Sequence, residues 1–195
     1  MLGLKLPTDP RWADMVNKSI EFVLTDHAYC EQKAASTCIS LIQAYPTHER
    51  LVDELAPIVT EEWGHFRMVL KEIKKRNLTL GKQRKDEYVH ALMDFMKATK
   101  GSSPEAHLMD KLLMAALIEA RSCERFKMLW KHIDDKDLSE FYYKLMVAEA
   151  NHYKLFIDLA KTYSDPSRVK ERWEEWLTYE ADVLRNYELS GKTVH

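Results

Sequence analysis

The chain has 195 residues, of which 46% are hydrophobic and 31% are charged, and its formal net charge at pH 7 is -2. This composition is that of a soluble globular protein with enough apolar residues for a core, and we expect one domain over residues 1–195. The small net charge does not indicate a class of partner, so any surface that binds nucleic acid has to be local.

Cysteine usage and hydropathy exclude several further classes. The three cysteines, Cys30, Cys38 and Cys123, are odd in number and form no C-x-x-C pair, which argues against a disulfide scaffold and against a rubredoxin or zinc-ribbon module. The first ten residues lack the apolar core of a signal peptide, and no apolar run approaches the roughly 20 residues that span a bilayer. We therefore expect a cytoplasmic protein without a membrane segment.

Apolar residues at helical spacing, interrupted by proline and glycine, predict an all-α chain. Thr8-Asp9-Pro10 is a helix-start signal, because a capping residue is followed by proline. The predicted helices cover residues 19–44, 47–76, 86–100, 104–133, 138–163 and 167–189. Pro57 is expected to kink the second helix, and residues 78–85 are expected to form a loop. No segment has a convincing two-residue period of the kind that marks a strand.

The first predicted helix illustrates this periodicity. Its apolar residues at helical spacing are Phe22, Val23, Leu24, Ala28, Ala34, Ala35, Cys38, Ile39 and Ile42. Four of the predicted helices are long, and they fall into two consecutive pairs. This arrangement indicates a weak internal duplication of architecture.

The two helix pairs share a motif of acidic and histidine residues. Glu62 and His65 form one Glu-x-x-His motif, and Glu149 and His152 form a second. Positions i and i+3 of a helix lie on one face, so each motif can direct a carboxylate and an imidazole to one point. A lone glutamate, Glu31 or Glu119, precedes each motif at nearly the same distance. This is the ligand pattern of carboxylate-bridged di-iron helical bundles.

The glutamates of this pattern share helix faces with apolar residues, which predicts that they are buried. A buried carboxylate without a partner costs several kcal/mol or becomes protonated, so four of them require cations. Oxygen and nitrogen ligands suit iron or manganese. The predicted metal-binding and catalytic residues are Glu31, Glu62, His65, Glu119, Glu149 and His152.

Three neighbouring residues leave alternatives open. Glu61 adjoins Glu62 but is expected to face away from the metal site. Glu124 is an alternative to Glu119, although it can pair with Arg121 or Arg125 on a polar side of the helix. His27 lies one turn before Glu31 and is either a core histidine, a hydrogen-bonding partner of a ligand or an additional ligand.

Four segments together resemble the tRNA hydroxylase MiaE family. They are HAYCEQKAA at 27–35, EEWGHF at 61–66, EARSCERF at 119–126 and AEANHY at 148–153, and the resemblance extends from about Leu4 to Leu184. It implies a ferritin-like four-helix bundle with flanking helices, and the six ligands named above. It also implies a non-haem di-iron monooxygenase that hydroxylates the isopentenyl group of methylthio-isopentenyl-adenosine, next to the anticodon of tRNA.

A run of basic residues is the candidate contact surface for such an RNA. Seven basic residues lie within 71–85, with only Glu72 as an acidic neighbour: Lys71, Lys74, Lys75, Arg76, Lys82, Arg84 and Lys85. A local basic cluster attracts phosphates. The alternative is a solvated helix end, where Lys and Arg complement the helix dipole.

The implied reaction needs dioxygen as a co-substrate and two electrons for each turnover. The chain has no Gly-rich dinucleotide fingerprint, so a separate reductase or ferredoxin is expected. Other functions compatible with a di-iron site are hydroxylation of another hydrophobic molecule such as a quinone, or iron oxidation as in ferritins. A helical adaptor with a vestigial site is a further alternative, and the oligomeric state is left open.

Overall fold

Six α-helices account for most of the part of the chain that the computed structural model describes, which is residues 2–8, 12, 16, 19–98 and 103–189, and that part contains no strand. The helices are α1 (Ile20–Ala44), α2 (Glu49–Lys75), α3 (Glu87–Ala98), α4 (Pro104–His132), α5 (Lys136–Tyr163) and α6 (Pro166–Leu189). The all-α prediction is confirmed, and most helix ends lie within two or three residues of those predicted. The predicted helix start at Thr8-Asp9-Pro10 lies outside the described residues.

Side-chain caps explain where the later helices begin. Ser103 accepts a hydrogen bond from the Ala106 amide at 3.3 Å, with Pro104 at the first position of α4. Asp135 accepts a hydrogen bond from the Leu138 amide at 3.1 Å. With this cap, α5 begins at Lys136, two residues before the predicted start. The turn between α4 and α5 is therefore shorter than the run of polar residues at 134–137 had indicated. The helix α2 continues through Pro57, and its kink stays a prediction.

The chain divides into two compact units. The first contains α1, α2 and the segment up to residue 85. Its helices form an antiparallel hairpin, because only residues 45–48 connect them. The buried apolar residues of this hairpin are Leu24, Ala28, Ala35, Cys38 and Leu41 on α1 and Leu51, Leu55, Ile58, Val69 and Ile73 on α2.

Residues 78–85 fold back onto α1 rather than extending into solvent. The Tyr29 hydroxyl donates a hydrogen bond to the Gly81 carbonyl at 3.0 Å, and the Gly81 amide donates one to Thr25 Oγ1 at 3.3 Å. Arg84 forms an ion pair with Asp26. This segment, which the sequence predicts as a loop, therefore has a fixed position on the outer side of α1.

The second unit contains α3 to α6 and residues 2–8. The helices α4 and α5 form its central hairpin, on which α3 and α6 pack. Two buried polar groups attach α6 to α4. Arg121 donates two hydrogen bonds to Glu180, and Asp110 accepts hydrogen bonds from Arg172 and from the Trp176 indole. These bonds connect positions about sixty residues apart in the chain.

The apolar periodicity of α1 extends beyond its buried face. Phe22 and Ile39 were predicted among the apolar residues of this helix, yet they are 59% and 43% exposed. Phe22 lies two positions before Leu24 and so on the opposite side of the helix from the buried residues, and Ile39 lies at the edge of their face. Among the described residues, no helix combines the length and the apolar character that crossing a membrane would require.

Candidate metal centre

The first unit gathers one lone glutamate and one Glu-x-x-His motif. Glu31 comes from α1, and Glu62 and His65 come from successive turns of α2. All three side chains are buried, and one ligand atom of each lies within 4.8 Å of the others. His65 Nδ1 lies 3.3 Å from Glu62 Oε2 and 3.6 Å from Glu31 Oε2. We call these three residues the first cluster.

The second unit repeats this arrangement with α4 and α5. Glu119 comes from α4, and Glu149 and His152 come from α5. They are buried, and one ligand atom of each lies within 4.8 Å of the others. His152 Nδ1 lies 3.5 Å from Glu149 Oε2, which matches the corresponding distance in the first cluster because both pairs have i, i+3 spacing. We call these three residues the second cluster.

The electrostatics of the first cluster favour a cation among its carboxylates. Burial lowers the pKa of His65, but its polar contacts with Glu31 and Glu62 and the negative charges of these two residues outweigh burial and raise the pKa to about 10. Without a bound metal, the two buried carboxylates therefore keep a proton on the imidazole. A metal ion would take over the role of that positive charge, with His65 as a neutral ligand.

The donor atoms of both clusters fit iron. Glu149 Oε2 is buried and accepts no hydrogen bond within the described residues, although His152 Nδ1 faces it. The candidate ligand groups within the described residues contain no cysteine. Burial, and then the charge of a neighbouring glutamate, also raises the pKa of Cys38 to about 12 and that of Cys123 to about 11, which favours the neutral thiol. What remains is a set of carboxylate oxygens and imidazole nitrogens, which suits a di-iron site.

The structure distinguishes Glu119 from its alternative, Glu124. Glu124 accepts hydrogen bonds from the Thr8 amide at 2.7 Å and from Arg121 Nη1 at 2.7 Å, and it also bonds the Thr8 hydroxyl. It therefore attaches the N-terminal segment to α4, whereas Glu119 belongs to the second cluster. The pairing with Arg121 was one of the roles that the sequence allowed.

Glu61 behaves only partly as predicted. Its side chain is 47% exposed, in agreement with the expectation that it faces away from the ligands. However, Glu61 Oε1 reaches to 3.9 Å from His65 Nε2, because i and i+4 also share a helix face. Glu61 is thus exposed while one of its oxygens contacts His65, and its place outside the ligand set stays a prediction.

His27 contacts the first cluster directly. Its Nε2 lies 2.5 Å from Glu31 Oε1, and both side chains are buried. The equivalent position in the second unit, one turn before Glu119, is Ala115. Of the three roles left open by the sequence, the contact favours a partner that orients a ligand. The two clusters therefore differ in how their lone glutamates are held.

Replacing His27 by alanine should weaken iron binding by about 10- to 100-fold, the usual effect of removing a group that orients a ligand. His27→Gln, which can still donate a hydrogen bond to Glu31, should recover part of the affinity. Competition against a chelator of known affinity measures this. Gln32→Ala, an exposed neighbour on α1, is the matched control. Unchanged affinity in His27→Ala would assign His27 to packing alone.

The basic run of 71–85 is largely exposed, and both of its arginines form ion pairs. Arg76 pairs with Glu72 one turn earlier, and Arg84 pairs with Asp26 on α1. The lysines at 71, 74, 75, 82 and 85 are exposed. The arginine charges are therefore partly balanced within the protein, and the exposed lysines add positive charge to this surface.

Comparison with known proteins identifies relatives over nearly the whole chain. Residues 2–193 match the family described as tRNA-(MS[2]IO[6]A)-hydroxylase (MiaE). The chain is 36% identical over 186 residues to the tRNA 2-(methylsulfanyl)-N(6)-isopentenyladenosine(37) hydroxylase of Pseudomonas putida, covering 95% of this chain and 82% of the relative. The protein of the same name from Salmonella typhimurium is 28% identical over 230 aligned positions, covering 93% of this chain and 83% of the relative.

A solved structure shows the same fold. "Protein 43 with aldehyde deformylating oxygenase activity from Synechococcus" superimposes with a TM-score of 0.86 at 33% identity. The match covers 92% of this chain and 87% of that one. The prediction of an all-α, ferritin-like fold is thus confirmed, and the buried clusters of carboxylates and histidines fit the di-iron site of an oxygenase.

Proposed function

We propose that this chain, which belongs to the MiaE family of tRNA hydroxylases, binds two iron ions through Glu31, Glu62, His65, Glu119, Glu149 and His152. It is a dioxygen-dependent enzyme that hydroxylates the isopentenyl group of methylthio-isopentenyl-adenosine in tRNA, next to the anticodon. The observation that carries the metal proposal is the repetition, in each of two helical hairpins, of a buried glutamate beside a buried Glu-x-x-His pair.

Bound iron supplies the activation of dioxygen, which an all-protein site cannot perform. The residues of the chain have other tasks. Four buried carboxylates balance the charge of the two metal ions, and two histidines bind them as neutral ligands. His27 holds one oxygen of Glu31 and so limits how that carboxylate can turn.

The apolar residues around the ligands keep water away from the reacting centre. Leu24, Ala28 and Ala35 surround Glu31 on the buried face of α1, and Ala115 and Ala116 precede Glu119 on α4. A dry environment would strengthen the interaction between these carboxylates and bound metal ions and keep water out of the reaction. It also suits an isoprenoid side chain, which is itself apolar.

Two further partners complete the proposal. The exposed lysines of 71–85 attract the phosphates of tRNA, and charge complementarity supports this role. A separate reductase or ferredoxin supplies the two electrons that each turnover requires. A tRNA substrate agrees with the cytoplasmic localisation expected from the sequence.

The test is to incubate iron-loaded protein, dioxygen and a reducing system with tRNA that carries the isopentenyl modification. After digestion of the tRNA, mass spectrometry of its nucleosides should show the gain of one oxygen atom on the modified adenosine. The same tRNA lacking the isopentenyl group is the control and should gain none. If protein with two bound irons consumes dioxygen but leaves the nucleoside unchanged, the substrate is a different hydrophobic molecule, such as a quinone.

A further inference from the structure

We propose that Phe22 and Arg84 form a stacking platform for an unpaired nucleobase of the tRNA substrate. This inference rests on the proposed function and assigns one contact within it. The platform lies on the outer side of α1, in the first unit, and neither residue belongs to the metal clusters. It is a site for holding the RNA rather than for the chemistry.

The platform consists of an exposed aromatic ring beside a fixed guanidinium. Phe22 is 59% exposed, the most exposed large apolar side chain in the described part of the chain. The Arg84 guanidinium carbon lies 5.3 Å from the centre of the Phe22 ring. This distance is that of a cation–π contact, which holds the ring in one orientation. A large exposed aromatic residue that is held in place is a typical anchor for a binding partner.

Asp26 fixes the guanidinium in turn. Arg84 Nε donates a hydrogen bond to Asp26 Oδ1 at 3.1 Å, and Arg84 Nη2 donates a second to Asp26 Oδ2. These two parallel hydrogen bonds fix both the position of the guanidinium group and the orientation of its plane. Because its charge is shared with Asp26, Arg84 contributes a flat surface more than a free positive charge.

The backbone that carries Arg84 is also held against α1. Gly81 bonds to Thr25 through its amide and to Tyr29 through its carbonyl. A Cβ atom at Gly81 would lie 3.3 Å from Thr25 Cγ2, which is a tight contact, so the segment lies close to the helix here. The platform is therefore formed before RNA binds, and little conformational entropy is lost on binding.

The charge around the platform favours a nucleic acid as the occupant. Lys82 and Lys85 are exposed on either side of Arg84, and three more lysines lie on the last turns of α2. Phosphates meet the lysines, while a base stacks on the ring and guanidinium surfaces. Single-stranded RNA loops are recognised in this way, by aromatic and arginine stacking combined with contacts to the backbone.

Ile39 provides the matched control. It is an exposed apolar residue of the same helix, 43% exposed, and because it is aliphatic it has no ring on which a base or a guanidinium could stack. It lies 17 positions along α1 from Phe22, which corresponds to about 25 Å on a helix. Loss of general apolar surface should affect both positions, whereas loss of stacking should affect only Phe22.

The experiment measures binding of isopentenyl-modified tRNA to iron-loaded protein at several salt concentrations. Phe22→Ala should weaken binding by about 5- to 150-fold, the range for loss of one stacked base. The slope of log K against log salt should stay as in the wild type, because no phosphate contact is lost. Phe22→Trp should bind at least as well as wild type. Lys82→Ala should instead lower the slope by about one, and Ile39→Ala should change neither quantity.

The outcomes separate the platform from the proposed function. If wild-type protein binds and hydroxylates tRNA but Phe22→Ala binds with unchanged affinity and iron content, the platform is overturned and the function stands. If Phe22→Ala binds tRNA more weakly and also shows a reduced slope of log K against log salt, the platform is likewise overturned, since the defect would then be electrostatic. If the wild type neither binds nor hydroxylates the tRNA, the proposed function and the platform both fall.

Discussion

Alanine in place of Glu149 should lower the iron content of the protein and reduce tRNA hydroxylation by at least about 100-fold. Groups that only orient metal ligands contribute about 10- to 100-fold, so the loss of a ligand should exceed that range. Glu149 is buried, and its Oε2 faces His152 Nδ1 at 3.5 Å. Under the proposed ligand set, replacing it would remove both a ligand and one of the four negative charges that would balance the metal ions. Metal analysis and a hydroxylation assay on the same preparation measure the two effects.

Two further variants separate loss of the ligand from loss of the fold. Glu149→Gln keeps the shape of the side chain and removes its charge, so it should fold as the wild type and still lose iron. Glu140→Ala alters an exposed glutamate of the same helix and should retain both iron and activity. Full iron occupancy and full activity in Glu149→Gln would remove Glu149 from the ligand set.

Replacing Arg121 by alanine should lower the free energy of unfolding by about 3–5 kcal/mol, because a buried carboxylate would lose its partner. Arg121 is 1% exposed and Glu180 is 0% exposed, and two hydrogen bonds of 2.8 and 3.0 Å join them. Burial raises the pKa of Glu180, while Arg121 and Tyr88 act in the opposite direction. The pair also contributes to docking α6 on α4. Urea unfolding followed by circular dichroism measures the loss.

The exposed pair of Arg185 and Asp182 on α6 is the matched control. Arg185→Ala should cost no more than about 1 kcal/mol, the usual value for a surface ion pair. The double variant Arg121→Met with Glu180→Leu should be more stable than Arg121→Ala, because the fully buried Glu180 carboxylate is removed together with its partner. Equal, small losses in Arg121→Ala and Arg185→Ala would show that Arg121 is not structurally required.

Local sequence patterns were sufficient to predict the helices and to select the six candidate ligands. Helix formation depends on near-neighbour spacing, so proline, glycine and the apolar period locate most helix ends. The candidate ligands carry a second local signal, since Glu62 with His65 and Glu149 with His152 repeat one spacing. Their placement in two buried clusters follows from the helix faces that the apolar residues mark. Their role as iron ligands stays a prediction.

Contacts between residues distant in the chain were not predictable in this way. The bonds between Gly81 and Thr25 and between Arg84 and Asp26 join positions 56 and 58 residues apart, and no local pattern encodes them. The hydrogen bond that attaches the N-terminal segment to Glu124 is donated by Thr8, which lies 116 residues earlier in the chain. Phe22 was grouped with the apolar period of α1, but it lies two positions before the buried Leu24, about 200° around the helix, so it points away from the buried face.

The central claim, that this protein uses iron and dioxygen to hydroxylate tRNA, is tested most directly by isotope labelling. Iron-loaded protein should be supplied with modified tRNA, a reducing system and oxygen-18-labelled dioxygen in ordinary water. We expect the heavy isotope in the hydroxyl group of the modified adenosine, and no hydroxylation after removal of iron. Incorporation of the light isotope from water, or hydroxylation that persists without iron, would contradict the account.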